Sequence, residues 1–323
     1  MVTLPKRWAE SVGLEAGATV NMMNISPNAM IIKPQGGPDE DYKTGHLEVD
    51  KEEGAPLVRS LISLYIAGYE VIKITGKQFT SSQRSTIRQT TQSLIGPEIV
   101  EESSDQIVIR NLSDLSELSI KETLSRIHQI SRSMFEDAIR SLTKHDKELA
   151  LDVGDRDDDV DRLFLAISRR FRVMLYDLIQ QDDEDVSRVE YFDYHTSAKQ
   201  LERIADHSAK VAEIVPSLER KIDEELASKI KKAAERSVHI MDKALSSLEE
   251  ADIDLANEAL AKSAEVEDTL LELNEMLRNL DSQSSQLLGI VADSIDRVKE
   301  YGINIAETAL NSSCPLPGEN GEL

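Results

Sequence analysis

Leu201–Glu213 reads LERIADHSAKVAE, and 94 residues later Ile295–Glu307 repeats its grammar as IDRVKEYGINIAE. A repeat of this length implies two copies of one structural unit. In the first copy Leu201, Ile204, Ser208, Val211 and Val215 are apolar or small; in the second the same positions are Ile295, Val298, Gly302, Ile305 and Ala309. That 3-4-3-4 spacing is one face of a helix packing into a bundle. Beside it runs a stripe of carboxylates, Glu202, Asp206 and Glu213, matched by Asp296, Glu300 and Glu307. Side chains four apart stand one turn above each other, so Glu202/Asp206 and Asp296/Glu300 can each converge on one cation.

Working outward, Ser119 and Glu122 form a capping-box pattern that opens the helical region. From residue 98 to 314 the only proline is Pro216, which divides two halves. Helices are expected at about 120–144, 146–181 and 185–214 in the first half, and at about 217–250, 253–279 and 283–311 in the second. The first two helices of each half align at an offset of 106, pairing Ala138 with Ala244, Leu142 with Leu248, Asp146 with Asp252 and Val160 with Val266. The third helices align at 94, so the first half carries twelve extra residues, and the acidic stretch 181–185 belongs to that connection.

Asp157 and Asp161 in RDDDVDRL also stand at i, i+4 on the second helix. With Glu202 and Asp206 they supply four carboxylates from two antiparallel helices, a donor set for hard, oxygen-preferring cations such as Mg²⁺ or Mn²⁺, or for iron. The equivalent second-half positions are Ser263, Glu267, Asp296 and Glu300; the serine removes one anionic ligand, so weaker binding is expected there. The plain alternative is a solvated acidic face, in which like charges one turn apart cost roughly 0.2–0.5 kcal/mol that a cation would remove. His195, seven residues before Glu202, could add an imidazole or be a surface histidine; His207 becomes Tyr301 in the second copy and is a poor ligand. A di-iron oxidase would place Glu-x-x-His on paired helices, and the helical halves contain none, so an enzyme is not expected.

The LERIADH segment, its echo in the second half and the six-helix layout resemble the phosphate-uptake regulator (PhoU) family. That resemblance implies metal ions bound by Glu/Asp-x-x-x-Asp motifs on a bundle surface, at Asp157, Asp161, Glu202, Asp206, Glu267, Asp296 and Glu300 here, with Mg, Mn, Fe or Zn as the metal. The N-terminal VTLPKRW, GLEAG and MIIKP resemble an AbrB/SpoVT-type swapped-hairpin module, a fusion typical of archaeal PhoU-like regulators, with its first strand truncated at Met1. The fold class that follows is mainly α: tandem three-helix bundles over 119–216 and 217–312, preceded by a small β-rich module over 1–36. Regulation of phosphate uptake or signalling is implied, through a phosphate-transporter ATPase or a sensor kinase, with a homodimer expected. The second function considered is a transcriptional regulator that contacts DNA through residues 1–35, with the bundle as sensor.

Residues 1–35 read as a strand Val2–Leu4, a helix Pro5–Val12 and strands Thr19–Asn24 and Ala29–Lys33; Trp8 is read as a core anchor or dimer contact. Lys6, Arg7 and Lys33 against Glu10 and Glu15 leave only +1, weak for a phosphate-backbone binder. Residues 37–55 are Gly-, Pro- and charge-rich and read as a linker. Residues 56–118 read as a small βαββ-like segment with no phosphate-cradling loop, and 313–323 as a disordered tail.

The chain has 323 residues, 60 acidic against 37 basic, a net charge of −23 and 4% aromatics. Its cores must therefore be aliphatic, and its field opposes general binding to nucleic acid, anionic membrane or naked phosphate unless a metal reverses the local sign. A single cysteine, Cys314, excludes an intrachain disulfide and fits a reducing cytoplasm. No apolar run approaches the roughly 18 residues of a membrane span.

Overall fold

The computed structural model describes residues 3–26, 29–34, 43–50, 52–113, 119–176 and 186–314. The chain forms two compact units. The first comprises Met1–Gln92, Gly96–Ser113 and Arg172–Asp185; the second comprises Ser93–Ile95, Asp114–Phe171 and Val186–Leu323.

In the first unit, α1 (Lys6–Ser11) follows Pro5, which stands at its N-cap, and an antiparallel hairpin joins β1 (Val20–Ser26) to β2 (Ala29–Pro34). Thr3 and Leu4 are not strand. Trp8 is only half-buried and α1 buries no side chain, so Trp8 is not a core anchor among the described residues.

A separate four-stranded sheet follows, in the order β3-β4-β6-β5. Its strands and helices run β3 (Thr44–Glu48), α2 (Ala55–Ile66), β4 (Val71–Thr75), α3 (Ser81–Gln92), β5 (Pro97–Glu102) and β6 (Gln106–Asn111). Thr44–Glu48 lies inside the stretch expected as a linker. It is a strand because β4 supplies a parallel partner, Thr44 opposite Val71 through Glu48 opposite Thr75, and α2 makes the crossover that such a pair needs. The segment is thus βαβαββ. Ile72 and Ile74 alternate inward from β4 and meet Leu57, Leu61, Ile87, Ile107 and Ile109 in an aliphatic core.

The second unit is helical: α4 (Ile120–Lys144), α5 (Lys147–Tyr176, whose residues from Arg172 on are counted with the first unit), α6 (Arg188–Ile214), α7 (Glu224–Glu250), α8 (Ile253–Ala261), α9 (Ser263–Leu277) and α10 (Ser282–Ser312). Ser119 caps α4, accepting from Glu122 N, and Ser187 and Glu190 make a reciprocal capping box at α6. The helix expected from residue 217 begins instead at Glu224, because Asp223 accepts from Leu226 N and a 3-10 turn, Val215–Ser217, carries Pro216 between the halves. The single helix expected at about 253–279 is two, broken at Lys262, where neither glycine nor proline stands; we have no physical account of this break.

The internal repeat is written in the turns as well as the stripes. α4 ends on His145 and α7 on Ala251, 106 residues apart, and both adopt the left-handed conformation, the only non-glycine residues described with positive φ. The next residue caps the following helix in each half: Asp146 accepts from Leu149 N, Asp252 from Asp254 N and Leu255 N. Every position of both apolar stripes is buried. In the second stripe the glycine is needed, since a Cβ at Gly302 would lie 3.0 Å from Ile240 and 3.1 Å from the backbone of Met241 on α7. α6 packs on α4 and α10 on α7, and α6 also packs on α10, which joins the halves; Ser237 Oγ on α7 donates to the carbonyl of Ile295. Among the described residues no helix is long and apolar enough to cross a membrane. The acidic stretch 181–185 and the tail beyond Cys314 lie outside the described residues, as do 37–42 and residue 51 of the expected linker.

Candidate metal centre

α5 and α6 bring the two acidic pairs of the first half together. Asp161, Glu202 and Asp206 each offer a carboxylate oxygen, and these oxygens all lie within 4.8 Å of one another. Ligands on opposite sides of a cation with metal–oxygen bonds of about 2.1–2.6 Å are separated by roughly that distance, so one ion can reach all three. Asp157 stands one turn away on α5 and shares the same field. Burial, and then the charges of Asp206, Asp161, Asp158 and Glu202, push its carboxyl up to about 7. Burial and the charges of Glu202 and Asp206 push Asp161 up to about 6, against the opposing pull of Lys199. Asp206 is raised for the same reasons, burial first and then Glu202.

Glu202 is the buried member, 9% exposed. Lys199 Nζ, poised 4.8 Å from the Phe164 ring centre, donates to its Oε1 at 2.5 Å. Its other oxygen, Oε2, is buried without a hydrogen-bond partner among the described residues, and so is Asp157 Oδ1. Carboxylate oxygens out of water and unpartnered cost free energy. The donor set fits a hard cation on two counts, convergence and unmet acceptor capacity, and it is made of oxygen alone.

The two histidines do not join it. His195 is half-buried against the Phe171 ring, 4.9 Å between centres, with Nε2 3.2 Å from Ser168 Oγ, so it is neither ligand nor plain surface residue. His207 turns Nδ1 toward Ser294 Oγ on α10 at 3.2 Å. Glu213 and Glu307, at the ends of the carboxylate stripes, are exposed.

The second half behaves differently. Glu267 on α9 and Asp296 and Glu300 on α10 do converge, but on a lysine. Lys299 Nζ lies 3.2 Å from Glu267, 2.9 Å from Asp296 and 2.9 Å from Glu300. Lys299 is 2% exposed. Burial alone would lower its pKa, but the three carboxylate hydrogen bonds outweigh burial and raise it. Ser263, the counterpart of Asp157, donates to Glu267 Oε1 at 3.1 Å, and Lys299 with Ser263 holds Glu267 below the usual carboxylate range. The weak metal site expected from Glu267, Asp296 and Glu300 is therefore an ammonium cluster. The residue that sequence reasoning passed over is Lys299; its signal was a lysine three residues after Asp296 and next to Glu300, where the first copy has Ala205.

Residues 124–215 match the PhoU domain. The structure is similar to the phosphate transport system regulatory protein PhoU from Streptococcus pneumoniae, with a TM-score of 0.54 at 19% identity over 65% of this chain and 98% of that one. It is also similar to PhoU from Pseudomonas aeruginosa, with a TM-score of 0.53 at 22% identity over 59% of this chain and 93% of that one. Among curated proteins none matches the chain in sequence. The bundle is PhoU-like in fold.

Proposed function

We propose that this chain is a regulator of phosphate uptake or signalling that binds a metal ion through Asp157, Asp161, Glu202 and Asp206 and acts by offering its bundle surface to a protein partner. The observation that carries the reading is the convergence of Asp161, Glu202 and Asp206 within 4.8 Å around a buried, unpartnered Glu202 oxygen. The PhoU domain match over 124–215 and the fold shared with two phosphate-system PhoU proteins supply the physiological context. Mg²⁺, Mn²⁺ and iron suit the oxygen-only ligands better than zinc does. A bound divalent cation would supply positive charge where four carboxylates now repel one another. With that charge in place, Lys199 is free to leave Glu202, and the acidic face meets a partner with its local sign altered. A phosphate-transporter ATPase or a sensor kinase is the partner this reading names. The assigned role is binding, with no bond made or broken.

Elemental analysis and Mn²⁺ titration of the purified chain beside a Glu202→Ala, Asp206→Ala variant test it. The expected result is metal in the parent protein and its loss in the variant. Equal metal content in the two, with both folded by circular dichroism, removes the site. Capture of the transporter ATPase should then depend on Mn²⁺ in the parent chain alone.

A further inference from the structure

We infer that the second half carries its own cation, the Lys299 ammonium, where the first half takes a metal ion, so that one chain offers one metal-responsive site and one permanently neutralised counterpart. The inference builds on the metal reading of the first half but is tested separately from it.

The two clusters are equivalent by position. Asp161 corresponds to Glu267 at the offset of 106, and Glu202 and Asp206 correspond to Asp296 and Glu300 at the offset of 94. An ammonium has three N–H donors, and Lys299 Nζ has three carboxylate acceptors at 2.9–3.2 Å, so the group is fully satisfied. In the first copy this position is Ala205, too short to reach any acid. Among the described residues Glu202 is the one carboxylate that Lys199 pairs with there, through Oε1, and Oε2 is left without a partner. The loss of the fourth carboxylate, Ser263 for Asp157, goes with the exchange: a monovalent cation needs fewer anions around it than a divalent one. Lys299 is also fixed where Lys199 is not. Its side chain is 3% exposed against 37%, and leaving the cluster would strip it of all three partners.

It follows that substituting Lys299 uncovers a latent cation site made of Glu267, Asp296 and Glu300. The experiment is Mn²⁺ titration and metal analysis of the full chain in four forms: parent, Lys299→Ala, Asp161→Asn/Asp206→Asn, and the combination of those substitutions. The expected stoichiometries are one, two, none and one. A parent that binds no Mn²⁺ while Lys299→Ala binds one equivalent sinks the first-half site and leaves this inference standing. Lys299→Ala that gains no Mn²⁺ while melting cooperatively overturns it. Lys299→Met, which keeps the buried stem, guards against a folding defect; Mn²⁺-dependent recovery of a cooperative melt in either variant supports the inference. One arm needs no lysine variant: Glu267→Gln/Glu300→Gln in the parent should leave Mn²⁺ stoichiometry unchanged, and loss of an equivalent would show that metal displaces Lys299.

Discussion

Asp206 and Glu300 occupy the same turn of the same helix in two copies of one unit, yet they live in opposite electrostatic regimes. In the first cluster the carboxyls of Asp157, Asp161 and Asp206 are raised, because burial and mutual repulsion outweigh the opposing charges of Lys199 and Arg203. Around Glu300 a buried ammonium answers three acids, and Glu267 is lowered. The apolar stripe is shared; what differs around it is Ala205 against Lys299, together with Asp157 against Ser263. A repeated scaffold thus separates a cluster whose carboxylates repel one another from one whose carboxylates are answered by an ammonium.

The largest test of this contrast removes the internal cation. In metal-free buffer, Lys299→Met should cost about 3 kcal/mol in urea unfolding, because truncating one partner of a buried charge cluster strands the others. The figure sits at the low end for such pairs since Asp296, Glu300 and Glu267 keep 43–57% of their side-chain surface in water. Lys199→Met in the first half should cost less than Lys299→Met, because a lysine whose side chain is 37% exposed gives up one pair rather than three, although that pair's carboxylate, Glu202, is only 11% exposed. Equal costs would mean that the two lysines play the same part.

The next test supplies a divalent cation to the first cluster. Mn²⁺ at a hundred times its dissociation constant should stabilise the parent by about 2.7 kcal/mol, the linkage value for one site that binds the folded state alone. Asp161→Asn/Asp206→Asn should abolish that gain, and Glu267→Gln should not touch it. Affinity should rise between pH 5.5 and 7.5, since the ion displaces protons held by Asp157 near pH 7 and by Asp161 near pH 6.

Much of this comparison was legible before any coordinates. Apolar residues at helical spacing report burial directly, so Leu201 to Val215 and Ile295 to Ala309 gave both stripes, and Pro216 marked the turn between α6 and α7. Ser119 gave the first helix start because capping is a local hydrogen bond. β3 was hidden because its stability is non-local: TGHLE is a poor strand alone and becomes one against β4. The carboxylates of the first cluster were readable from i, i+4 spacing. Lys299 was not, because a lysine among acids in a strongly acidic chain looks like an exposed surface residue. Its burial is decided by the helices packed around α10 rather than by its neighbours in sequence.

The smallest effect is the one whose sign separates the clusters most cleanly. A carboxyl whose folded pKa stands above its unfolded value binds more protons folded than unfolded, so the fold loses stability as pH climbs through that interval. For Asp157 the interval runs from the ordinary 3.8 to about 7. Metal-free parent protein should therefore weaken between pH 4 and pH 7. Asp157→Asn, which keeps the shape and drops the charge, should stabilise it by about 1 kcal/mol at pH 7.5 after allowance for solvent screening, and by close to nothing at pH 4. The second half reverses the sign. Glu267 is lowered by Lys299, so its contribution is present above its unfolded pKa and lost as the medium becomes acid enough to protonate it. Glu267→Gln should then destabilise slightly at pH 7.5 and have no effect near pH 3. Urea melts of the two variants across pH 3–7.5 check this: if Asp157→Asn destabilised metal-free protein at neutral pH, its charge would already be compensated, and the contrast between the clusters would vanish.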